Sequence, residues 1–225
     1  MYVYKLFMIT LTEENYIKAI YHLGKQGAMA VSTNAIAKEM ATKASSVTDM
    51  VKKLSEKNFA DYKKYQGASL TKEGKKIAIN IVRKHRLWEV FLAEKLNFSW
   101  DEIHEVAEQL EHIKSEKLIR QLDAFLGYPT HDPHGDPIPD ENGHIKKIDK
   151  ILLSEAEVGE RCICVGVKDS SSDFLKYLDK NKIALGTELE ICHKEIFDHS
   201  VTIKIGVNEL IISNMIANNL FVKLS

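Results

Sequence analysis

The chain has 225 residues, 44% of them hydrophobic, and a formal net charge of −1 at pH 7. This length and composition predict a globular protein with one large domain or two to three small ones, and they exclude intrinsic disorder. No apolar run approaches the roughly eighteen residues of a membrane span. The opening MYVYKLFMIT lacks the basic start and the cleavage site of a secretory signal. We therefore expect a cytoplasmic protein that does not interact with a membrane.

The first predicted elements form a helix-turn-helix. Thr12, followed by residues 13–24, predicts a capped helix that Gly24 ends. A short helix over residues 33–40 and a longer one over about 45–57 follow, and the connection of three to four residues between them is typical of a helix-turn-helix.

The next residues predict a wing and a DNA-reading surface. Residues 59–65 and 69–71 flank Gln66-Gly67, a pattern that indicates a β-hairpin. The second helix of such a motif enters the major groove with its hydrogen-bonding side chains, whereas basic wing residues contact phosphates. The candidate DNA contacts are Ser45, Ser46, Thr48, Asp49, Lys52, Lys53, Lys63, Lys64 and Tyr65. A role as helix caps stays an open alternative for Ser45 and Ser46.

Charge is distributed unevenly along the chain. Residues 43–86 contain twelve Lys and Arg against four Asp and Glu, whereas residues 89–126 contain four against nine. A basic block is typical of a polyanion partner and an acidic block of a bound cation. On charge alone, the alternative that Lys-rich helices are simply solvated stays open.

Two longer helices, predicted over residues 72–96 and 100–126, carry a candidate metal site. Their His and Glu side chains stand three or four residues apart: His85 and Glu89 on the first, and His104, Glu108, Glu111 and His112 on the second. Side chains at these offsets share a helix face, and imidazole with carboxylate suits manganese, iron, cobalt, nickel or zinc. One such pair is more typical of a solvated surface, but this density within an apolar pattern favours a metal site.

The last part of the chain changes character. Residues 129–149 include all four prolines and predict a linker, in which Asp132 and His134 are positioned to join the metal site. From Lys150 onward, short β-rich runs interrupted by one helix predict a small β-barrel of about five strands.

At VRKHRLWEVFL, IHEVAEQLEHI and DPHGDPIP, preceded by SSVTDMVKKL and a wing, the chain resembles the diphtheria toxin repressor family of metal-dependent regulators. The resemblance implies a mainly α fold with small β parts. It predicts a winged helix-turn-helix DNA-binding domain over residues 1–72 and a helical metal-binding and dimerisation domain over residues 73–128. The linker of residues 129–149 then leads to an SH3-like β-barrel over residues 150–225, of the type found in ferrous iron transport A proteins.

The resemblance also implies two metal sites. The primary site would be formed by Asn15, His85, Glu108, Glu111 and His112. The ancillary site would use Glu89 and His104, with Asp132, His134 or Asp173 as further candidates. Asn15 departs from the family, in which iron-type members have Met and manganese-type members Asp. Glu108 stands where iron-type members carry Cys, which favours manganese, or iron bound by harder donors.

The function implied is that of a homodimeric repressor that binds double-stranded operator DNA when loaded with Mn(II) or Fe(II) and controls metal-uptake genes. It is not expected to be an enzyme. Two alternatives stay open: a DNA-binding protein whose metal site is purely structural, and a metallohydrolase. The second lacks support from the sequence, because no HExxH or comparable catalytic motif appears.

Overall fold

The computed structural model describes residues 9–146, 149–169 and 171–225. Its contacts divide the chain into two compact units. Of the described residues, the first unit comprises those within 9–85, 110–115 and 139–144, and the second comprises those within 86–109, 116–138, 145–146, 149–169 and 171–225. The domain limits expected at residues 72, 128 and 149 stay a prediction. Across the described ranges, none of the helices combines the length and apolar character needed to cross a bilayer.

The first unit contains the predicted winged helix-turn-helix. Its elements are α1 (Leu11–Leu23), α2 (Thr33–Glu39), α3 (Ala44–Glu56), β1 (Ala60–Lys63) and β2 (Gly67–Leu70). The two strands pair antiparallel, with Ala60 opposite Leu70, and form the wing. Apolar residues from all three helices, among them Ile17, Ile36 and Leu54, are fully buried in one core. This packing fixes the face that α3 exposes.

Two details of helix capping differ from the predictions. The N-cap of α1 is Thr10 and not Thr12: the Thr10 side chain accepts from the Glu13 backbone, and the Glu13 carboxylate accepts from the Thr10 backbone. Helix α3 has Lys43 as its N-cap, so the interpretation of Ser45 and Ser46 as N-cap residues is wrong. Both serines lie in the first turn of α3 and are exposed.

The long helix α4 (Lys72–Leu96) ends where the sequence predicts. Asn97 follows it with φ 56°, in the left-handed region that ends helices and that Asn tolerates better than most residues. The boundary between the two units falls within α4, between His85 and Arg86.

The prediction of one helix over residues 100–126 is wrong. The structure has α5 (Trp100–Leu110) and α6 (Glu116–Phe125), separated by a turn over residues 111–115. The buried Glu111 carboxylate binds side chains from other helices, and such tertiary contacts override the helical preference of a short segment. Glu111 and His112 therefore lie in a turn and not on the helix that carries Glu108.

The described residues of the predicted linker, 129–146 and 149, form turns and one isolated bridge, as expected. They are nevertheless held firmly in each unit. In the first unit, Arg83 Nη1 donates to the carbonyl oxygen of Pro139 at 2.7 Å. In the second, Gly135 has φ 81°, and a Cβ at this position would lie 2.0 Å from the carbonyl oxygen of Val165, so only glycine fits.

The C-terminal part of the second unit is a small antiparallel sheet with its own core. Its elements are β3 (Ile151–Leu152), β4 (Arg161–Val167), α7 (Ser172–Lys180), β5 (Glu188–Lys194), β6 (Val201–Ile205), β7 (Asn208–Ile212), α8 (Asn214–Ala217) and β8 (Leu220–Leu224). The strand order is β3-β8-β4-β5-β6-β7. Within the described ranges, β3 and β7 lie at opposite ends of the sheet. The structure thus has a small antiparallel sheet of six strands where the sequence predicts about five, in part because the two-residue β3 is too short to recognise in a sequence.

Candidate metal centre

Glu111 is the centre of a group of charged and ligand-type side chains in the first unit. It is fully buried, and its Oε2 lies 2.7 Å from Nδ1 of His85. The ammonium of Lys18 donates to the same oxygen, also at 2.7 Å. His85 and Glu111 belong to a set of side chains whose ligand atoms are close enough to hold a metal ion.

The charge of Glu111 is stabilised by these neighbours. Burial by itself raises the pKa of the carboxyl group, but the hydrogen bond with His85 and the positive charge of Lys18 lower it by more, so that the pKa lies below its ordinary value. Glu111 is therefore a carboxylate at neutral pH, the form that binds a cation.

His112 stands beside Glu111 and is oriented by α1. Its Nδ1 lies 2.5 Å from Oε2 of Glu14, and its Nε2 lies 3.9 Å from Oε1 of Glu111. A carboxylate on one ring nitrogen is a common way to orient an imidazole whose other nitrogen binds a metal. The contact leaves Nε2 facing the Glu111 carboxylate.

Two buried oxygens test whether these residues fit a cation. Oδ1 of Asn15 and Oε1 of Glu111 have no hydrogen-bond partner among the described residues. Buried polar atoms without partners destabilise a fold, so natural proteins rarely leave them unless something else binds there. A carboxylate oxygen, an amide oxygen and imidazole nitrogens form a donor set suited to Mn(II) or Fe(II). The residues present therefore fit a divalent cation.

A second group lies in the second unit and is centred on the buried Glu89 of α4. Its Oε1 lies 3.5 Å from Nδ1 of His104 and 3.7 Å from Nε2 of His134. On α5, Nε2 of His104 lies 3.6 Å from Oε1 of Glu108, one helical turn away. Glu89 and His104 also belong to a set of side chains with metal-ligand spacing. The structure thus brings together four of the predicted ligands within this unit.

Asp132 is buried beside this second group, but its oxygens are engaged in holding the loop. Oδ1 accepts from the backbone nitrogens of His134 and Asp136, each at 2.9 Å, and Oδ2 lies 3.4 Å from Nε of Arg86. Burial, followed by the negative charges of Glu89 and Asp136, raises the pKa of Asp132 well above its usual range. These contacts indicate that Asp132 positions His134.

Asp173, the remaining predicted ligand, lies exposed in the first turn of α7. It is absent from the groups with metal-ligand spacing found in the described part of the chain.

The predicted DNA contacts form an exposed surface on α3 and the wing. Ser45, Ser46, Asp49 and Lys52 are exposed, and Tyr65 at the tip of the wing is 93% exposed. The remaining positions are the exposed Lys53, Lys63 and Lys64 and the half-buried Thr48. Lys53 lies 3.2 Å from Glu13, so its charge is partly engaged within the fold.

Two residues of the first group, Glu14 and Lys18, were not among the predicted site residues. They are four residues apart on α1 and therefore share a helix face. That spacing was visible in the sequence. Their partners Glu111 and His112 lie more than 90 residues further along the chain, however, so only the tertiary structure identifies the contacts.

Family models match almost the whole chain. The iron-dependent repressor N-terminal DNA-binding domain matches residues 8–68, and the iron-dependent repressor metal-binding and dimerisation domain matches residues 71–140. A FeoA domain matches residues 151–224.

Two known proteins and one solved structure are similar to this chain. The transcriptional regulator MntR of Oceanobacillus iheyensis is 33% identical over 68% of this chain and 97% of its own length. The iron-dependent repressor IdeR of Mycobacterium tuberculosis is 32% identical over 57% of this chain, and the matched part spans 55% of IdeR. A solved structure of a manganese-dependent transcriptional repressor in complex with manganese is 29% identical and superposes with a TM-score of 0.82, covering 95% of this chain and all of the other.

Proposed function

We propose a function for this chain from one premise, that it belongs to the family of iron-dependent repressors. It is a cytoplasmic, homodimeric transcriptional repressor that binds double-stranded operator DNA when loaded with Mn(II) or Fe(II). It controls metal-uptake genes, and it acts by binding and not by catalysis.

The observation that carries the proposal is the buried Glu111 carboxylate, one oxygen of which is reached by no described hydrogen-bond donor. Asn15, His85, Glu111 and His112 all belong to the first unit and are the primary ligands, together with Glu108, which the resemblance predicts. A bound cation would supply the positive charge that these oxygens and nitrogens attract. Glu89, His104 and His134 form the ancillary site, for which Asp132 and Asp173 are weaker candidates.

The contacts of α1 provide the coupling between metal and DNA. Glu14 binds His112 and Lys18 binds Glu111, so one face of α1 contacts the turn that carries two primary ligands. Helix α1 also packs in the core that fixes α3. Ligation by Asn15, Glu111 and His112 therefore changes the contacts of a helix within the DNA-binding motif. A ligand that binds one arrangement of this helix better than another shifts the population towards it.

A second copy of the chain completes the DNA-binding surface. Two reading helices related by a two-fold axis match two half-sites of an operator. In the second unit, α6 exposes Leu118 by 41% and Phe125 by 65%, and exposed apolar side chains of this kind are typical of an interface. Phe125 is the more exposed of the two and is expected near the centre of the dimer contact.

The proposal is tested with DNA selected by the protein itself. A random duplex library is enriched on the full chain in the presence of Mn(II), and fluorescence anisotropy then measures binding of the selected duplex at fixed salt under anaerobic conditions. We expect Mn(II) or Fe(II) to strengthen binding reversibly by at least about a hundredfold, a difference of about 2.7 kcal/mol. Equal affinity with Mn(II) and with a chelator would contradict the proposal.

The same titration separates the two alternatives. A structural metal site predicts that chelation unfolds the protein, which circular dichroism would detect as lost helix. A metallohydrolase predicts turnover of a substrate and no preference among duplexes. The switch predicts a folded metal-free protein that regains DNA binding when Mn(II) is added.

A further inference from the structure

We propose that Lys18 is a tethered competitor for the cation at Glu111, an ammonium group that must leave the carboxylate before a metal ion can bind it. This inference rests on the proposed function, because it takes Glu111 to be a metal ligand. It adds a residue that sets the affinity of the site and that does not itself bind metal.

The geometry of the contact supports this role. Nζ of Lys18 lies 2.7 Å from Oε2 of Glu111, and the Lys18 side chain is only 14% exposed. Metal–oxygen distances are about 2.0 to 2.2 Å. An ammonium and a divalent ion on one carboxylate would thus stand within several ångströms of each other in a largely dry site. Like charges at that separation repel strongly where little water screens them.

Lys18 also explains how the metal-free protein keeps Glu111 buried. A buried carboxylate without a counter-charge is strongly destabilising. His85 reaches the same oxygen, but an imidazole is charged only when protonated, whereas Lys18 brings an ammonium group to it. The metal-free state is therefore stable, and its stability opposes metal binding. The protein therefore responds at a higher metal concentration than it would without Lys18.

The position of Lys18 on α1 links this competition to DNA binding. Glu14, one turn earlier on α1, remains able to bind His112 when Lys18 leaves Glu111. When a metal ion takes the place of Lys18, the Lys18–Glu111 contact between α1 and the turn over residues 111–115 is lost, while the Glu14–His112 contact is kept. Lys18 thereby affects both the affinity for metal and the position of the helix.

A matched control exists in the same unit. Lys57 lies 2.7 Å from Glu13 of α1, and its side chain is also 14% exposed, while the Glu13 carboxylate is as fully buried as that of Glu111. Glu13 is not a predicted ligand. Substitution of Lys57 thus removes an ion pair with the same shortest distance and the same burial, without changing the proposed metal site.

The first experiment measures binding of Mn(II) alone to the full chain by electron paramagnetic resonance of the free ion. We expect Lys18→Met and Lys18→Gln to bind Mn(II) about ten times more tightly than the unsubstituted protein, since each removes the competing charge. Lys57→Met should leave the affinity unchanged. Equal or weaker Mn(II) binding by both Lys18 variants would overturn the inference, because Lys18 would then support the site and not compete for it.

A second experiment needs no substitution and so stays decisive if the variants fail to fold. An amine-reactive reagent labels the unsubstituted protein with and without Mn(II), and mass spectrometry measures modification of each lysine. We expect Mn(II) to raise the labelling of Lys18 several-fold and to leave that of Lys57 unchanged. If Mn(II) bound without raising the labelling of Lys18, the inference about Lys18 would be wrong and the proposed function would stand. If neither the unsubstituted protein nor any variant bound Mn(II), both the inference and the proposed function would be wrong.

Discussion

Two buried glutamates in the first unit each pair with a lysine at the same distance, but their two oxygens are satisfied differently. Glu13 and Glu111 are both fully buried, and each lies 2.7 Å from a lysine ammonium. The Glu13 oxygens are saturated: Oε1 binds Lys57 and Lys53, and Oε2 accepts from Lys57 and from the Thr10 backbone. The Glu111 contacts converge on Oε2, whereas no described donor reaches Oε1.

This difference separates a structural carboxylate from one able to bind a ligand. Burial raises the pKa of Glu13, but hydrogen bonds from Lys57, Thr10 and Lys53 lower it to about 2. Every lone pair that a cation would use is already occupied. At Glu111 one oxygen, Oε1, has no described hydrogen-bond donor and lies 3.9 Å from Nε2 of His112. Burial and charge alone therefore do not identify a binding site; the number of satisfied oxygens does.

The largest effect is expected from Glu111→Ala. It removes the buried anionic ligand of the primary site that belongs to the first unit, and we expect Mn(II) binding to weaken by about a thousandfold, or about 4 kcal/mol, with loss of metal-stimulated DNA binding. Calorimetry and anisotropy measure the two losses, and analytical ultracentrifugation checks that the dimer persists. A variant that still responded fully to Mn(II) would remove Glu111 from the primary site.

Glu13→Gln tests the structural half of the comparison. The folded pKa of about 2 lies below the ordinary value of 4.5, so ionised Glu13 stabilises the fold above pH 4.5, and this stability is lost as the pH falls towards 2. The shift corresponds to at most about 3 kcal/mol. Urea unfolding of the metal-free protein should show a loss of about this size between pH 6 and pH 2 that Glu13→Gln lacks. If the free energy of unfolding fell equally with pH in the unsubstituted protein and in Glu13→Gln, the prediction would be wrong.

Glu89→Gln extends the comparison to the second unit. Glu89 contacts two imidazoles, His104 and His134, at longer distances than those around Glu111. We expect metal-stimulated DNA binding to weaken by about tenfold, the range typical of supporting residues at metal sites. Glu94→Gln, an exposed change on the same helix, is the control. A loss as large as that of Glu111→Ala would make the Glu89 group the primary site.

The smallest effect is expected from Asp173→Ala. Its carboxylate is exposed on α7, and exposed charges contribute little. Metal-stimulated operator binding should stay within about twofold of the unsubstituted protein, measured by anisotropy at the same salt concentration. A loss comparable to that of Glu89→Gln would establish Asp173 as an ancillary ligand.

Local sequence signals were sufficient for most of the fold. The apolar spacing of α1 to α3 and the Gln66-Gly67 turn predicted the winged helix-turn-helix. Asn97 correctly marked the end of α4. The ligand-type residues were recognised because spacings of three and four place side chains on one helix face, a property of the chain itself.

The tertiary structure alone decided which of those residues meet and what else meets them. Lys18 and Glu111 stand 93 residues apart, and no local spacing predicts that they form an ion pair. Glu111, one partner of this ion pair, lies in the turn over residues 111–115 that divides the predicted helix. Likewise, the carboxylate of Asp132 could bind a metal ion, but it accepts a hydrogen bond from the backbone of His134 and pairs with Arg86. These contacts stabilise the loop. A sequence determines local geometry and the donors available, whereas long-range packing determines which donors are already satisfied, because burial brings distant partners together.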